Sequence, residues 1–348
     1  MTSRSTPIIK HSCPTLGEEE ANAAAEVIRS GDVANGKKCS EFENMLAEHF
    51  GVKHAAIVNS GTTALFLSLM ATDSSTGWPR SGSESRKVLI PAYSCPSLAY
   101  AVRLAGDVPV FVDADVNGNI NLRNMQPGIM EEVALILAVN TFGIPVSPRV
   151  FQAGVPVLED CTMSIGKIGG MVSRDIGICS FYATKMLCTG EGGVILSNDA
   201  TFTERVKRLR SPEGPIHRTE PRGNYKMTDI QAAIGIEQLK KLPEFVERRS
   251  MLALHYDNLL RNFVKTPSQR EVYHRYVVQV QDRDAIMKYM HDHGVICGRG
   301  VLESLHEECE RATWLCDVSL SLPIYPSLTY DQATYVATTL IEAVRQCG

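Results

Sequence analysis

Lys185 stands in the stretch 180–193, SFYATKMLCTGEGG, behind an apolar and aromatic run and ahead of a Gly-Glu-Gly-Gly turn. That setting is a poor one for ordinary surface charge. Ile176, Ile178, Phe181 and Tyr182 suggest a buried strand edge, and Gly190, Gly192 and Gly193 suggest backbone packed close against something. An amine so placed can attack a carbonyl, which here means a Schiff base with pyridoxal phosphate. It can equally pair with Glu191 on a loop. The stretch alone leaves both readings open.

Two further groups bear on the choice. In residues 54–71, HAAIVNSGTTALFLSLMA, a short strand (55–58) meets a turn at Gly61. Thr62 or Thr63 then opens an apolar helix through Leu65, Leu67, Leu69 and Met70. Free N–H groups and hydroxyls at such a turn suit an anion. No GK[ST] follows, so it is not a P-loop. Farther on, VPVL (155–158) runs into Glu159, Asp160 and Cys161. A carboxylate at the end of a buried strand needs a partner. For Asp160 that is a protonated pyridine nitrogen, an arginine or a helix N-terminus.

The elements that must position these groups alternate. Helices are expected at 17–30, ended by Gly31, and at 40–50, with Ser40 as N-cap and Phe42, Leu46 and Phe50 at helical spacing. Strands are expected at 88–90, 108–112, 133–139 and 193–198. VALILAV (133–139) is apolar throughout, as a parallel strand buried on both faces requires. Short buried strands alternating with helices predict an open α/β sheet with right-handed crossovers. Ligands bind beyond the strands' carboxyl ends in such sheets. Asp113, Asn140, Asp160 and the 60–63 turn all stand there, which predicts a single site.

The stretch 72–87 reads as a surface loop, and 204–226 as a charged stretch giving way to a loop. Its positive segment, 205–222, suits either a diphosphate or solvent. Helix 227–242, capped by Thr228 or Asp229, precedes a second long amphipathic helix. This divides the chain into a large domain, 1–245, and a small C-terminal one, 246–348. There 272–280 reads as a strand, the segment from Ala285 as a helix, VICGRG as a strand or loop, and 331–346 as a terminal helix.

The 348 residues are 44% hydrophobic and carry 35 basic and 39 acidic side chains, a formal charge of −4. That balance gives no reason to expect nucleic acid or an anionic membrane as partner. No apolar run is long enough to span a membrane, and the N-terminus has too short an apolar stretch for a signal peptide. The ten cysteines are scattered without a zinc spacing and read as reduced thiols of a cytoplasmic protein. No metal site is expected.

The order of these motifs resembles the DegT/StrS-type aminotransferases, pyridoxal phosphate enzymes of fold type I that mostly aminate keto sugars carried on nucleotides. NSGTTAL (59–65), VPVFVDAD (108–115), LEDC (158–161), SFYATKMLCTGEGG (180–193) and NYKMTDIQAAIGIEQL (224–239) carry the resemblance. It implies an α/β fold: a mostly parallel seven-stranded sheet between helices, plus a small α+β C-terminal domain. It assigns the Schiff base to Lys185, the pyridine nitrogen to Asp160, and the phosphate to Gly61, Thr62, Thr63 and Ser180. Asn224 or Lys226 would reach that phosphate from a partner subunit, making a homodimer with shared sites. The expected reaction moves an amino group from glutamate to a keto sugar nucleotide. Members that dehydrate replace the lysine with histidine, so Lys185 disfavours a lyase. A desulfurase would need a mobile cysteine among Cys297, Cys309 and Cys316, and a non-catalytic sensor rests on Met163 alone.

The chain departs from the family at several places. Met163 stands where a Gln or His usually contacts the cofactor's ring oxygen. Cys95 stands where an aromatic residue usually stacks on the ring, with Tyr93 two residues earlier as the preferred substitute. Asn140 replaces a common His, and His274-Arg275-Tyr276 keeps only the form of a His-x-Tyr signature.

Overall fold

A computed structural model describes residues 8–72, 85–125, 128–166, 176–214, 221–268 and 272–347. The large sheet has seven strands: β1 (His54–Val58), β2 (Lys87–Pro91), β3 (Val108–Val112), β4 (Val133–Val139), β5 (Val157–Asp160), β6 (Ile176–Ser180) and β7 (Gly193–Ser197). Their order is β1-β7-β6-β5-β4-β2-β3, and β7 alone runs antiparallel to its neighbours. The α/β expectation is met. The supposed strand edge before Lys185 is instead β6, an interior strand between β7 and β5.

The alternation along β4 explains its fully apolar sequence. Leu135, Leu137 and Val139 pack with α3 (Gly61–Ala71), α4 (Ser97–Leu104) and α6 (Ala200–Leu209). Ile136 and Ala138 pack into a separate cluster on the other face with Val146 and Val150. Each strand residue thus has a buried face to fill.

Before the sheet come α1 (Glu18–Ser30) and α2 (Lys37–Phe50), and α5 (Ile129–Glu132) is a single turn before β4. Ser40 is not the cap of α2, because the helix begins a turn earlier behind Gly36. The cap comes from far away: the Asp229 carboxylate accepts hydrogen bonds from Gly36 N (2.8 Å), Cys39 N (2.9 Å) and Lys38 N (3.1 Å). A Cβ on Gly36 would lie 2.9 Å from Asp229 Oδ2, so glycine makes room for this contact.

Asp229 is also the first residue of α7 (Asp229–Leu260), whose own cap is Thr228 in a capping box with Gln231. The two helices expected across 227–263 are one, 32 residues long, running through Pro243. Leu239, Leu242, Phe245, Leu252, Tyr256 and Leu260 form a continuous buried stripe on both sides of the proline. That packing outweighs the lost backbone hydrogen bond. The expected 245/246 division falls inside this helix.

Beyond it, β8 (Tyr276–Gln279), β10 (Ser319–Leu322) and β9 (Gly298–Arg299) form a three-stranded antiparallel sheet, order β8-β10-β9. It packs with α8 (Arg283–Asp292) and α10 (Tyr330–Cys347), while α9 (Glu310–Val318) leads into β10. Ile9 from the N-terminal segment bridges to Val295 and joins this second core. The stretch holding α9 and β10 gave no expectation from sequence. No helix among the described residues is long and apolar enough to cross a membrane.

Candidate active site

One cavity of about 380 Å³ opens at the carboxyl ends of β1, β5 and β6. Its walls bring together Gly61, Thr62, Cys95, Asp160, Met163, Ser180 and Lys185. Seven side chains or turns expected from sequence therefore meet in one place.

The α3 N-terminus forms one wall. Ser60 caps it, its Oγ accepting from Thr63 N at 3.1 Å and donating to Thr63 Oγ1 at 2.9 Å. Thr63 is thereby occupied in the cap and does not line the cavity, whereas Ser60 does. Among the described residues the N–H groups of Gly61 and Thr62 have no partner. They are the orphan donors of a helix start. The helix can sit this close to the strands because of two glycines. A Cβ on Gly61 would lie 2.5 Å from Ser180 Cβ, and one on Gly193 would lie 2.6 Å from Ser60 O.

Asp160 ends β5 and is buried. Its Oδ1 accepts from Thr162 N at 2.9 Å, and Thr162 Oγ1 in turn accepts from Ser180 N at 3.0 Å. Burial raises the Asp160 pKa, while hydrogen bonds from Thr162 and the nearby Lys185 charge pull it down. Thr162, two residues after the carboxylate, was not singled out from sequence. It ties together the ends of β5 and β6.

Lys185 follows β6 in a tight turn, its N–H donating to Tyr182 O at 2.8 Å. Burial lowers its pKa, with Asp160 opposing and Arg275 adding to the shift. Its amine makes no hydrogen bond or ion pair among the described residues, so the Glu191 pairing is not formed. Glu191 instead lines the cavity and gives its carbonyl to Thr189 Oγ1 and Gln231 Nε2. Gly190 serves the turn through its φ of 81° and has open space at Cβ, unlike Gly193.

Several expected residues lie elsewhere. Tyr93 is buried at the junction of the two sheets, its hydroxyl donating to Ser319 Oγ at 3.0 Å and its ring edge-on to Phe142. It is not on the cavity wall, whereas Cys95 is, its Sγ accepting from Ser97 Oγ at 3.0 Å. Asp113 is also outside: its carboxylate caps α9, accepting from Ala312 N at 2.8 Å and Arg311 N at 3.0 Å. Asn140 is a buried brace, donating to Glu159 Oε1 at 2.7 Å and accepting from Val146 N at 3.0 Å. Met163 does reach the cavity, and its Sδ accepts from Phe142 N at 3.2 Å.

The basic stretch divides. Arg210 pairs with buried Glu43 at 2.5 Å and Lys207 with the same carboxylate at 3.5 Å, so both serve the fold. Residues 215–220 lie outside the described residues. Asn224 is exposed, and Lys226 pairs with Glu213 at 2.5 Å. Burial pushes the Cys297 thiol up to about 12, and Cys309 and Cys316 up to about 11, against any thiolate nucleophile there.

The donor set fits pyridoxal phosphate. Two unpaired amides and the Thr62 and Ser180 hydroxyls would suit an anion, the Asp160 carboxylate a ring nitrogen, and Lys185, whose pKa burial lowers, an aldehyde, all on one cavity. Sheet and site together define a pyridoxal phosphate enzyme of fold type I, an aminotransferase. The chain belongs to the DegT/DnrJ/EryC1/StrS aminotransferase family, whose model matches residues 14–341.

Among its relatives is the UDP-4-amino-4-deoxy-L-arabinose–oxoglutarate aminotransferase of Shewanella sediminis, 25% identical over 95% of this chain and 97% of that protein. Another is the GDP-perosamine synthase of Escherichia coli O157:H7, 27% identical over 94% and 96%. In fold it is similar to Helicobacter pylori PseC, an aminotransferase involved in the biosynthesis of pseudoaminic acid. That match has a TM-score of 0.88 at 23% identity, covering 97% of this chain and 100% of that one.

Proposed function

We propose that this aminotransferase moves an amino group from glutamate to a keto sugar carried on a nucleotide, as a cytoplasmic homodimer. The observation that carries the reading is the convergence of Lys185, Asp160 and the unpaired Gly61 and Thr62 amides of the α3 N-terminus on one cavity. The relatives' names support the substrate class, since both contain a nucleotide-linked sugar. One name also contains oxoglutarate, the keto acid left when glutamate gives up its amine.

Pyridoxal phosphate supplies an aldehyde for an amine and a ring that takes up electrons from the substrate carbon. The chain's residues do the rest. The Gly61 and Thr62 N–H groups with the Thr62 and Ser180 hydroxyls would hold the phosphate. Asp160, oriented by Thr162, holds a proton on the ring nitrogen. Lys185, once its amine is free, would take a proton from the substrate carbon and return one, and a lowered pKa favours the neutral form which that task needs. Cys95 and Met163 wall the cavity, but the Cys95 side chain has no aromatic face to stack and Met163 has no donor to replace the family's usual Gln or His.

Exposed Asn224, with Lys226 beside it, fits a segment that completes a partner's phosphate site. On this reading Asp160 and Lys185 come from one subunit and Asn224 from the other. The domain division is best placed within α7 rather than at a linker.

The purified protein should be yellow, and glutamate should bleach the colour. Lys185→Ala should abolish covalent attachment that borohydride can trap. A coloured protein that no amino donor bleaches would leave the transaminase reading without support, and so favour the sensor alternative.

A further inference from the structure

A larger cavity, about 570 Å³, lies beside the β3 edge of the large sheet and shares no wall residue with the Lys185 cavity. Three arginines line it from three separate segments: Arg123 after β3, Arg149 after β4, and Arg311 in the first turn of α9. All three are exposed, and none forms an ion pair among the described residues.

Their backbones are fixed. Arg123 N donates to Asn121 Oδ1 at 3.2 Å, Arg149 N to Ser147 Oγ at 3.4 Å, and Arg311 N to Asp113 Oδ2 at 3.0 Å. The Arg311 guanidinium also lies over the Trp314 ring, 5.2 Å from its centroid. One carboxylate, Asp115, shares the cavity, and its Oδ1 already accepts from Asn117 N and Asn119 N. The balance of charge on the wall is therefore positive. Val116, Ile120, Leu122 and Val150 supply an apolar lining to the same cavity.

Gathering three guanidinium groups around one concavity costs repulsion that a bound anion relieves. Arginine's planar fork suits phosphate oxygens, and an apolar wall suits a flat base. We propose that this cavity binds a nucleoside diphosphate. The diphosphate is held by Arg123, Arg149 and Arg311, and the base lies against Val116, Ile120 and Leu122. The site is separate from the catalytic cavity, so occupancy does not depend on Lys185 or on the proposed transamination.

Titration calorimetry on the cofactor-loaded protein tests this with ADP and with inorganic pyrophosphate as probes. ADP should bind saturably, and more tightly than pyrophosphate, which leaves the apolar wall unused. Arg149→Ala should weaken ADP about tenfold, and the triple Arg123, Arg149 and Arg311 to alanine variant by roughly a hundredfold or more. Val116→Trp, at an exposed wall position, should block the cavity without touching an arginine. Lys185→Ala should bind ADP as the parent does, even though it is inactive. No saturable binding, equal affinity for pyrophosphate, or indifference to the triple variant would each overturn the proposal. So would loss of ADP binding in Lys185→Ala, which would place the nucleotide in the catalytic cavity.

Discussion

The surroundings of Lys185, the residue proposed to carry the chemistry, disfavour a charge. Burial depresses its pKa below the ordinary 10.5, and Arg275 pushes in the same direction while Asp160 resists. A lower pKa leaves more of the amine neutral at a given pH, so the rising limb of the pH–rate profile should sit below the ordinary lysine value. Arg275→Met removes a cation that disfavours the ammonium, so it should raise the Lys185 pKa and move that limb to higher pH. A pH profile of kcat, which reports the substrate-bound enzyme in which the amine is free, checks the sign.

Gly61 makes a second prediction at this scale. Its missing Cβ lets α3 approach Ser180. Gly61→Ala should cost about 1–3 kcal/mol in urea unfolding and weaken cofactor retention on dialysis, because the helix start must back away from the strands.

At the scale of elements, two helices are capped by distant carboxylates. Asp229 caps α2 and Asp113 caps α9, and neither α2 nor α9 has a side-chain cap of its own. Burial works against the Asp229 charge, but hydrogen bonds from Cys39, Lys38 and Gly36 prevail and lower its pKa. A carboxylate with a depressed folded pKa stabilises above its unfolded value near 3.8, and that stability is lost as pH falls through the folded value. Asp229→Ala should therefore cost about 2 kcal/mol at neutral pH. The gap to the parent should narrow at acid pH, as paired urea titrations would show.

This is also where reading the sequence fell short. Ser40 has the right residue type for a cap, and nothing local reveals that a carboxylate 193 positions away already serves α2. Pro243 is a sound local reason to end a helix, and only the buried stripe that continues past it explains why the chain does not. Tyr93 has the apolar face a ring-stacking residue needs, but that face fits a core junction equally well.

For the whole molecule, the proposed shared site makes a test by mixing. Lys185→Ala and Asn224→Ala dimers should each be inactive or weak alone. After unfolding and refolding together, random pairing should restore roughly a quarter of parent activity, since half the dimers regain one of two sites. No recovery in mixtures whose exchange is verified by mass would count against a site built from two subunits.

The sequence by itself determined the chemistry and the class of fold. A strand ending in Asp160, a glycine turn opening an apolar helix, and Lys185 before a glycine turn are local patterns; each alone left its role open, and their order along the chain carried the assignment. What the tertiary structure decided was membership of the cavity wall. Thr63, Tyr93, Asp113 and Asn140 all have suitable chemistry and lie near strand ends, yet each is spent on a cap, a junction or a brace. A polar group's partner is chosen by what packing brings within hydrogen-bond reach, and that choice is made only once the sheets and helices are assembled. The same holds for the Ser180–Gly193 stretch: its lysine was visible at once, but its unpaired amine, its carboxylate neighbour and its contact with Gly61 are properties of the assembled site.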